Sequence, residues 1–220
     1  MSVWLARHGE TESNRLHILQ GALDIPLNAT GELQAQQLAG RMKSFALSSV
    51  YSSHLSRAKS TAQAIATAAS GERAIEVEID SRLGEFNCGV FQGLGRAAAQ
   101  EQYPREWSKY RVDENFVVPN GESYNQFADR VCEAFEDITR RGEGEVGDIC
   151  IVAHGGVLDC IKNTYLASAL PEDDHRCANA SLCKITWVED GGNSHWRVDE
   201  WNCTKHLVGV RVQQVVDDII

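Results

Sequence analysis

Two histidines in this chain sit in matching local settings that suit them to chemistry. One lies in Arg7-His8-Gly9-Glu10-Thr11, after the apolar run Val3-Trp4-Leu5-Ala6, and the other in His154-Gly155-Gly156, after Asp148-Ile149-Cys150-Ile151-Val152-Ala153. Imidazole titrates close to neutral pH, which makes a strand-end histidine a candidate for catalysis. A glycine after each one removes a side chain where a ligand would approach the backbone. Arg7 adjoins His8, and Arg57 follows the short run Val50-Tyr51-Ser52, at the start of an alanine-rich stretch that predicts a helix. A cation in a first helical turn opposes the helix dipole, and an anion held between guanidinium and helix start would relieve that conflict. Two arginines and two histidines at one sheet edge suit a phosphate dianion, each charge-assisted contact contributing roughly 1.5–3 kcal/mol.

Such a cluster requires both histidines to emerge at the same edge, and the element pattern provides for that. Strands are predicted at Val3 to Ala6, Val50 to Ser52, Ala74 to Ile79 and Asp148 to Ala153. The last is apolar throughout, like a central parallel strand, and Ala74 to Ile79 alternates like one nearer the edge. Helices are predicted over Gly31 to Phe45, with Thr30 as its cap and Leu33, Leu38, Met42 and Phe45 inward. Others run over Ser56 to Ala69, Glu122 to Arg141 (Phe127, Val131, Phe135 and Ile138 on one face) and Val157 to Leu166. Ser181 to Val188 and Trp196 to Trp201 read as a closing hairpin around Asp190-Gly191-Gly192-Asn193. The expected fold is α/β, a three-layer sandwich with a mostly parallel central sheet and helices on both faces. Residues 1–220 read as one domain, with a small inserted cap at about 86–119 that holds a short helix. Ligands in such sheets bind beyond the carboxyl ends of the strands, where strand order reverses.

Composition narrows the partners. The 220 residues carry a formal net charge of -10, which disfavours nucleic acid and anionic membranes. A small anion is still accommodated if basic groups are concentrated in one pocket. No apolar run is long enough to cross a bilayer, and the first residues lack a signal-peptide pattern. Seven cysteines without a C-x-x-C pair read as reduced, mostly buried thiols, and the expected location is cytoplasmic. His175 with Glu172, Asp173 and Asp174 reads as a solvated turn; no metal and no cofactor is expected.

The ordered motifs resemble the histidine phosphatase superfamily, in its phosphoglycerate-mutase-like branch. Arg7-His8-Gly9-Glu10-Thr11 with Asn14, Gln20-Gly21 and Leu27-Asn28-Ala29-Thr30-Gly31 is similar to the first block of that family. Ser52-Ser53-His54-Leu55-Ser56-Arg57-Ala58 resembles the second, and Leu83-Gly84-Glu85-Phe86 with Gly89-Val90-Phe91-Gln92-Gly93 the third. Asn120-Gly121-Glu122-Ser123, Val152-Ala153-His154-Gly155-Gly156 and Asn179-Ala180-Ser181 follow in the family's order.

That resemblance implies roles. His8 would be the nucleophile, carrying the phosphoryl group as a phosphohistidine. Arg7, Arg57 and His154 would surround the equatorial phosphate oxygens. Asn14, Gln20 and the backbone at Gly21 and Gly155 would bind substrate, and Glu85 would be the general acid and then the general base. The implied activity is metal-independent hydrolysis of a small phosphorylated metabolite, in a chain compatible with a homodimer. A phosphoglycerate mutase is the alternative within the family. Mutases of this type carry a longer insertion after the glutamate block, with a basic and aromatic pattern, where this chain has Phe86-Asn87-Cys88-Gly89-Val90-Phe91. A non-enzymatic phosphometabolite binder is the third reading. Trp107, Tyr103 and Phe91 either face substrate from the cap or pack it, and His17 or His54 is a candidate for the pocket mouth.

Overall fold

Six strands, β1 (Ser2–Arg7), β2 (Leu47–Ser52), β3 (Val77–Ile79), β4 (Asp148–Ala153), β5 (Leu182–Asp190) and β6 (Asn193–Cys203), form one sheet. Their order is β3-β2-β4-β1-β5-β6. The first four are parallel to one another; β5 and β6 run antiparallel at one edge. The computed structural model describes residues 1–71, 74–167, 169–170, 176–210 and 212, so His175 and its acidic neighbours lie outside the described residues.

The apolar run of β4 is explained by coverage on both faces. Ile149, Ile151 and Ala153 enter one core together with Val3 and Leu5 of β1. Cys150 and Val152 enter the other with Trp4 and Ala6. Among the described residues, seven helices cover the sheet and carry the connections: α1 (Glu12–Arg15), α2 (Ala29–Met42), α3 (Ser56–Ala69), α4 (Arg96–Gln102), α5 (Pro104–Tyr110), α6 (Tyr124–Arg141) and α7 (Gly155–Ile161). Phe127, Val131, Phe135 and Ile138 of α6 join Val157, Leu158 and Ile161 of α7 in the first core. Leu38 and Met42 of α2 join Ala58, Ala62 and Ile65 of α3 in the second. Burying one Leu- or Ile-sized side chain contributes about 1.5–3 kcal/mol, so each core holds its helices by many such increments.

Several local expectations are corrected. The cap of α2 is Asn28, not Thr30: its Oδ1 accepts the Gly31 N–H at 2.8 Å. The inward stripe of α2 passes through Gln34, Ala35, Leu38 and Met42, leaving Leu33 half exposed. Gln34 is tolerated inside because its Oε1 accepts the Glu10 N–H at 2.8 Å. The strand expected from Ala74 is only β3, three residues at the sheet edge. Helix α7 begins at Gly155 and passes into a π turn over Lys162–Leu166. The β5–β6 hairpin is longer than expected and turns on Gly191 (φ 56°) and Gly192 (φ 87°), positive angles that suit glycine.

The stretch at 86–119 holds two short helices, α4 and α5, where one was expected. Phe91 sits against Tyr103, Trp107 and Tyr110 at centroid distances of 6.1, 5.4 and 5.8 Å. These aromatics pack one another, as the packing alternative proposed. All seven cysteines are free, six of them buried. No helix among the described residues is long and apolar enough to cross a membrane.

Candidate active site

The site grows out of three strand ends. His8, Ser53 and His154 are the first residues beyond β1, β2 and β4. The ladder continues through them: His8 N–H donates to Ala153 O at 3.0 Å and Ser53 N–H to Val152 O at 3.2 Å. Both histidines thus emerge at one edge, as expected, with ring centroids 5.1 Å apart. Arg7, His8, Arg57, Ser53 and His154 are all buried.

A hydrogen bond fixes which nitrogen of the His8 imidazole carries the proton, and another joins His154 to Ser53. His8 Nδ1 lies 2.6 Å from the Gly9 carbonyl, which can only accept. Nδ1 therefore carries the hydrogen, and Nε2 presents its lone pair. His154 Nε2 lies 2.8 Å from Ser53 Oγ, and that oxygen already accepts the Leu55 N–H at 3.2 Å. A Ser53 hydroxyl that donates its proton to His154 Nε2 leaves the ring hydrogen on Nδ1. His154 Nδ1 is buried and meets no protein partner among the described residues. Burial, reinforced by Arg57 and Arg7, holds the His8 pKa well below the usual histidine value. Burial does the same for His154, with Arg57 as the next cause. Both rings are neutral at pH 7.

The arginines are set by backbone carbonyls. Arg7 Nη1 donates to Cys177 O at 2.8 Å. Arg57 Nη1 and Nη2 donate to Leu23 O at 2.7 Å and Gly21 O at 2.8 Å, and its buried Nε has no protein acceptor among the described residues. Burial pushes Arg57 down to about 10, so it remains charged. One expectation about it is modified. The start of α3 already has an anion, Asp24, whose Oδ1 accepts the Ser56 N–H at 2.6 Å. The helix dipole is answered by that carboxylate, and Arg57 turns inward to the 21–23 loop.

Asn14 and Gln20 have their amide oxygens committed inside the protein. Asn14 Oδ1 accepts from Thr11 N at 3.1 Å and Asn179 Nδ2 at 3.2 Å, and Gln20 Oε1 accepts from Thr11 Oγ1 at 2.9 Å. Their NH₂ groups are the ends a ligand oxygen would meet. Glu85 accepts the Phe86 N–H at 2.9 Å on Oε1 and the Gly156 N–H at 3.2 Å on Oε2. Its loop is clamped from below by Arg130, which donates to the carbonyls of Arg82 (2.7 Å), Gly84 (2.7 Å) and Glu85 (3.1 Å) and pairs with Glu122 at 2.6 Å.

These groups meet in a cleft of about 520 Å³ lined by Arg7, His8, Asn14, Gln20, Gly21 and Glu85, with Ile18, Leu19, Phe86, Cys88, Gly156 and Arg176. Arg57 and His154, both fully buried, are not among the lining residues. Neither His17 nor His54 lines it; both are exposed. The glycine after His8 has a different reason from the one expected: a Cβ on Gly9 would collide with the backbone of Gly31. A Cβ on Gly155 would make only ordinary contact with Arg7, 3.4 Å from its Cζ, and it is Gly156 that lines the cleft. His206 is half-buried and bonds Ala180 O at 2.9 Å, beside the Ala180 N–H that donates to His8 O. Sequence reasoning did not single out Ser53 or Arg176. The signal for Ser53 was its place directly after a parallel strand, the same as that of both histidines.

The model of the histidine phosphatase superfamily (branch 1) matches residues 3–204. A curated relative, the probable phosphoglycerate mutase GpmB of Serratia proteamaculans, is 36% identical over 206 residues, 91% of this chain and 90% of that protein. Among solved structures, Bacillus stearothermophilus YhfR superposes with a TM-score of 0.77 at 27% identity, covering 94% of this chain and 98% of that one. A mycobacterial glucosyl-3-phosphoglycerate phosphatase in complex with VO3 gives 0.75 at 28% identity, covering 92% and 99%. Fold, ordered motifs and these matches agree over nearly the whole length, and the chain belongs to the histidine phosphatase superfamily, branch 1.

Proposed function

We propose that this chain is a phosphatase that hydrolyses a small phosphomonoester through a phosphohistidine on His8. The observation that carries this reading is the fixed state of His8: neutral, hydrogen on Nδ1, lone pair on Nε2, beside two buried arginines. In the first step Nε2 attacks phosphorus. The N–P bond forms, the ester O–P bond breaks, and the departing alkoxide takes a proton from the Glu85 carboxyl group. In the second step water attacks phosphorus, gives its proton to the Glu85 carboxylate, and inorganic phosphate leaves His8. Arg7, Arg57 and the His154 Nδ1–H supply donors for the equatorial oxygens, where charge spreads in the transition state. Asn14, Gln20 and the backbone of Gly21 hold the same group at the cleft wall. Every step is assigned to this chain's own side chains, without a metal or cofactor.

Hydrolysis is favoured over isomerisation by the make-up of the cleft. A mutase must keep water from the phosphohistidine and hold a second phosphorylated position. From the 86–119 stretch only Phe86 and Cys88 line the cleft, and neither is a cation. The phosphatase neighbour with VO3, a phosphate mimic, points the same way. The names of the curated relatives favour the mutase reading. The two are separated by supplying 3-phosphoglycerate and measuring 2-phosphoglycerate and free phosphate together. Phosphate release in excess of isomer, abolished in His8→Ala, is the expected result; isomer formed with negligible phosphate overturns the proposal.

A further inference from the structure

The loop that carries His8 is gripped from the far end of the chain. Asn179 lies three residues before β5 and is 2% exposed. Its Nδ2 stands 3.2 Å from His8 O, 3.4 Å from Gly9 O and 3.2 Å from Asn14 Oδ1. The two backbone carbonyls can only accept, so an NH₂ and not an oxygen belongs at this point, and the amide has one orientation. The backbone beside it reinforces the grip. Ala180 N–H also donates to His8 O, at 3.0 Å, and Arg7 N–H donates to Ser181 O at 3.2 Å.

Two of the three acceptors govern groups of the site. Gly9 O is the carbonyl that receives His8 Nδ1–H at 2.6 Å and so keeps the lone pair on Nε2. The same glycine is tied at its other side, its N–H donating to Thr61 Oγ1 at 3.1 Å. Asn14 Oδ1 receives Asn179 Nδ2 together with Thr11 N–H at 3.1 Å, so the NH₂ of this cleft-lining side chain is the end a ligand meets. When Nε2 bonds phosphorus the imidazole gains positive charge, and Nδ1–H donates more strongly to Gly9 O. A carbonyl already held in place needs no reorganisation at that moment. We propose that Asn179 is a positioning residue for phosphoryl transfer, one NH₂ holding both the Gly9 carbonyl against His8 Nδ1 and the Asn14 amide in its ligand-facing orientation. This rests on the reading of His8 as the nucleophile and deepens it. It couples the nucleophile to a side chain 171 residues away that touches no reacting atom.

The test uses N179A, N14A and the double variant in the full chain. Release of phosphate from p-nitrophenyl phosphate gives kcat and KM, calorimetry gives the affinity for orthovanadate, and nitrogen NMR reports the His8 ring. N179A should lower kcat about 10- to 30-fold with KM changed less than about threefold, and weaken orthovanadate about 10-fold. The His8 nitrogen shifts should move from the Nδ1–H form to a mixture of tautomers. N14A should cost much less in the N179A background than in the parent, because the orientation it relies on is already lost. A lower melting temperature with kcat and orthovanadate affinity unchanged overturns the proposal. So do additive effects of N14A and N179A with an unchanged His8 ring signal, the pattern of a residue that only supports the fold. If ring signal and orthovanadate affinity respond as expected while the parent releases no phosphate from any ester, the role of Asn179 stands and hydrolysis is what fails. Should N179A not fold, N179S, which keeps a hydroxyl for one of the three acceptors, is measured in the same way.

Discussion

The two sides of the cleft are built in different ways. The basic wall stands on strand ends: Arg7 ends β1 and His8 follows it, Ser53 follows β2, His154 follows β4, and ladder hydrogen bonds run on through His8 and Ser53. The Glu85 side is irregular chain after a short 3₁₀ turn, and its shape depends on one guanidinium, Arg130, that holds three carbonyls at once. Strand ends inherit their positions from the sheet and tolerate loss of single side chains. A loop held by one clamp does not. The lesson is that chemistry and stability should separate on the first side and travel together on the second.

The largest effect expected is chemical. His8→Ala should lower phosphate release by on the order of 10⁴-fold or more while the melting temperature stays close to that of the parent, since the sheet is untouched. Retained turnover, or collapse of the fold, would break the contrast.

Arg130→Met should damage both properties. Loss of the clamp leaves Glu122 unpaired at a partly buried site, costing about 2 kcal/mol in urea unfolding, and it displaces Glu85, lowering kcat roughly 30- to 100-fold. A variant with full stability and reduced kcat would mean that Glu85 is held by something else.

Ser53→Ala sharpens the first half of the comparison. With no hydroxyl at Nε2, His154 is free to carry its hydrogen on either nitrogen. Its kcat should fall about 10-fold with little change in KM, and nitrogen NMR shifts of His154 should move from the Nδ1–H form to a mixture. Rescue of both by Ser53→Thr is expected, and an unchanged ring signal would refute the tautomer assignment.

The smallest effect is on stability against pH. The folded-state pKa values of His8 and His154 are depressed below 6.5, so the unfolded chain binds more protons than the folded one in mild acid. Stability supplied by the neutral rings is complete above about pH 6.5 and declines as pH falls below it, by about 1 kcal/mol per histidine between pH 7.5 and 5.5. Asp159 acts in the opposite sense, because its raised pKa relieves the folded state as pH drops through about 6. Urea unfolding of His154→Gln at the two pH values should therefore show about 1 kcal/mol less acid loss than the parent.

Much of the site was legible because its parts follow directly from strands whose apolar runs are plain. His8 and His154 needed only the inference that two parallel strands end at one edge. Leu33 misled, since apolarity marked it inward while the stripe through Leu38 and Met42 leads back to Gln34. Gln34 is buried through a partner 24 residues away, which no local pattern reveals. Gly9 was recognisable as special, but its reason lies in the backbone of Gly31, which only the fold brings beside it.

The sequence by itself determined the order of the strands and of the four helices α2, α3, α6 and α7, the strand-end placement of His8 and His154, and the family, because periodicity and motif order are written along one dimension. Only the tertiary structure decided that Asp24 answers the α3 dipole, that Ser53 meets His154, that Arg130 carries the Glu85 loop and that Arg176 enters the cleft. Each of these is a hydrogen bond or ion pair between segments far apart in the chain, and its existence depends on distances of a few ångströms that residue order does not encode.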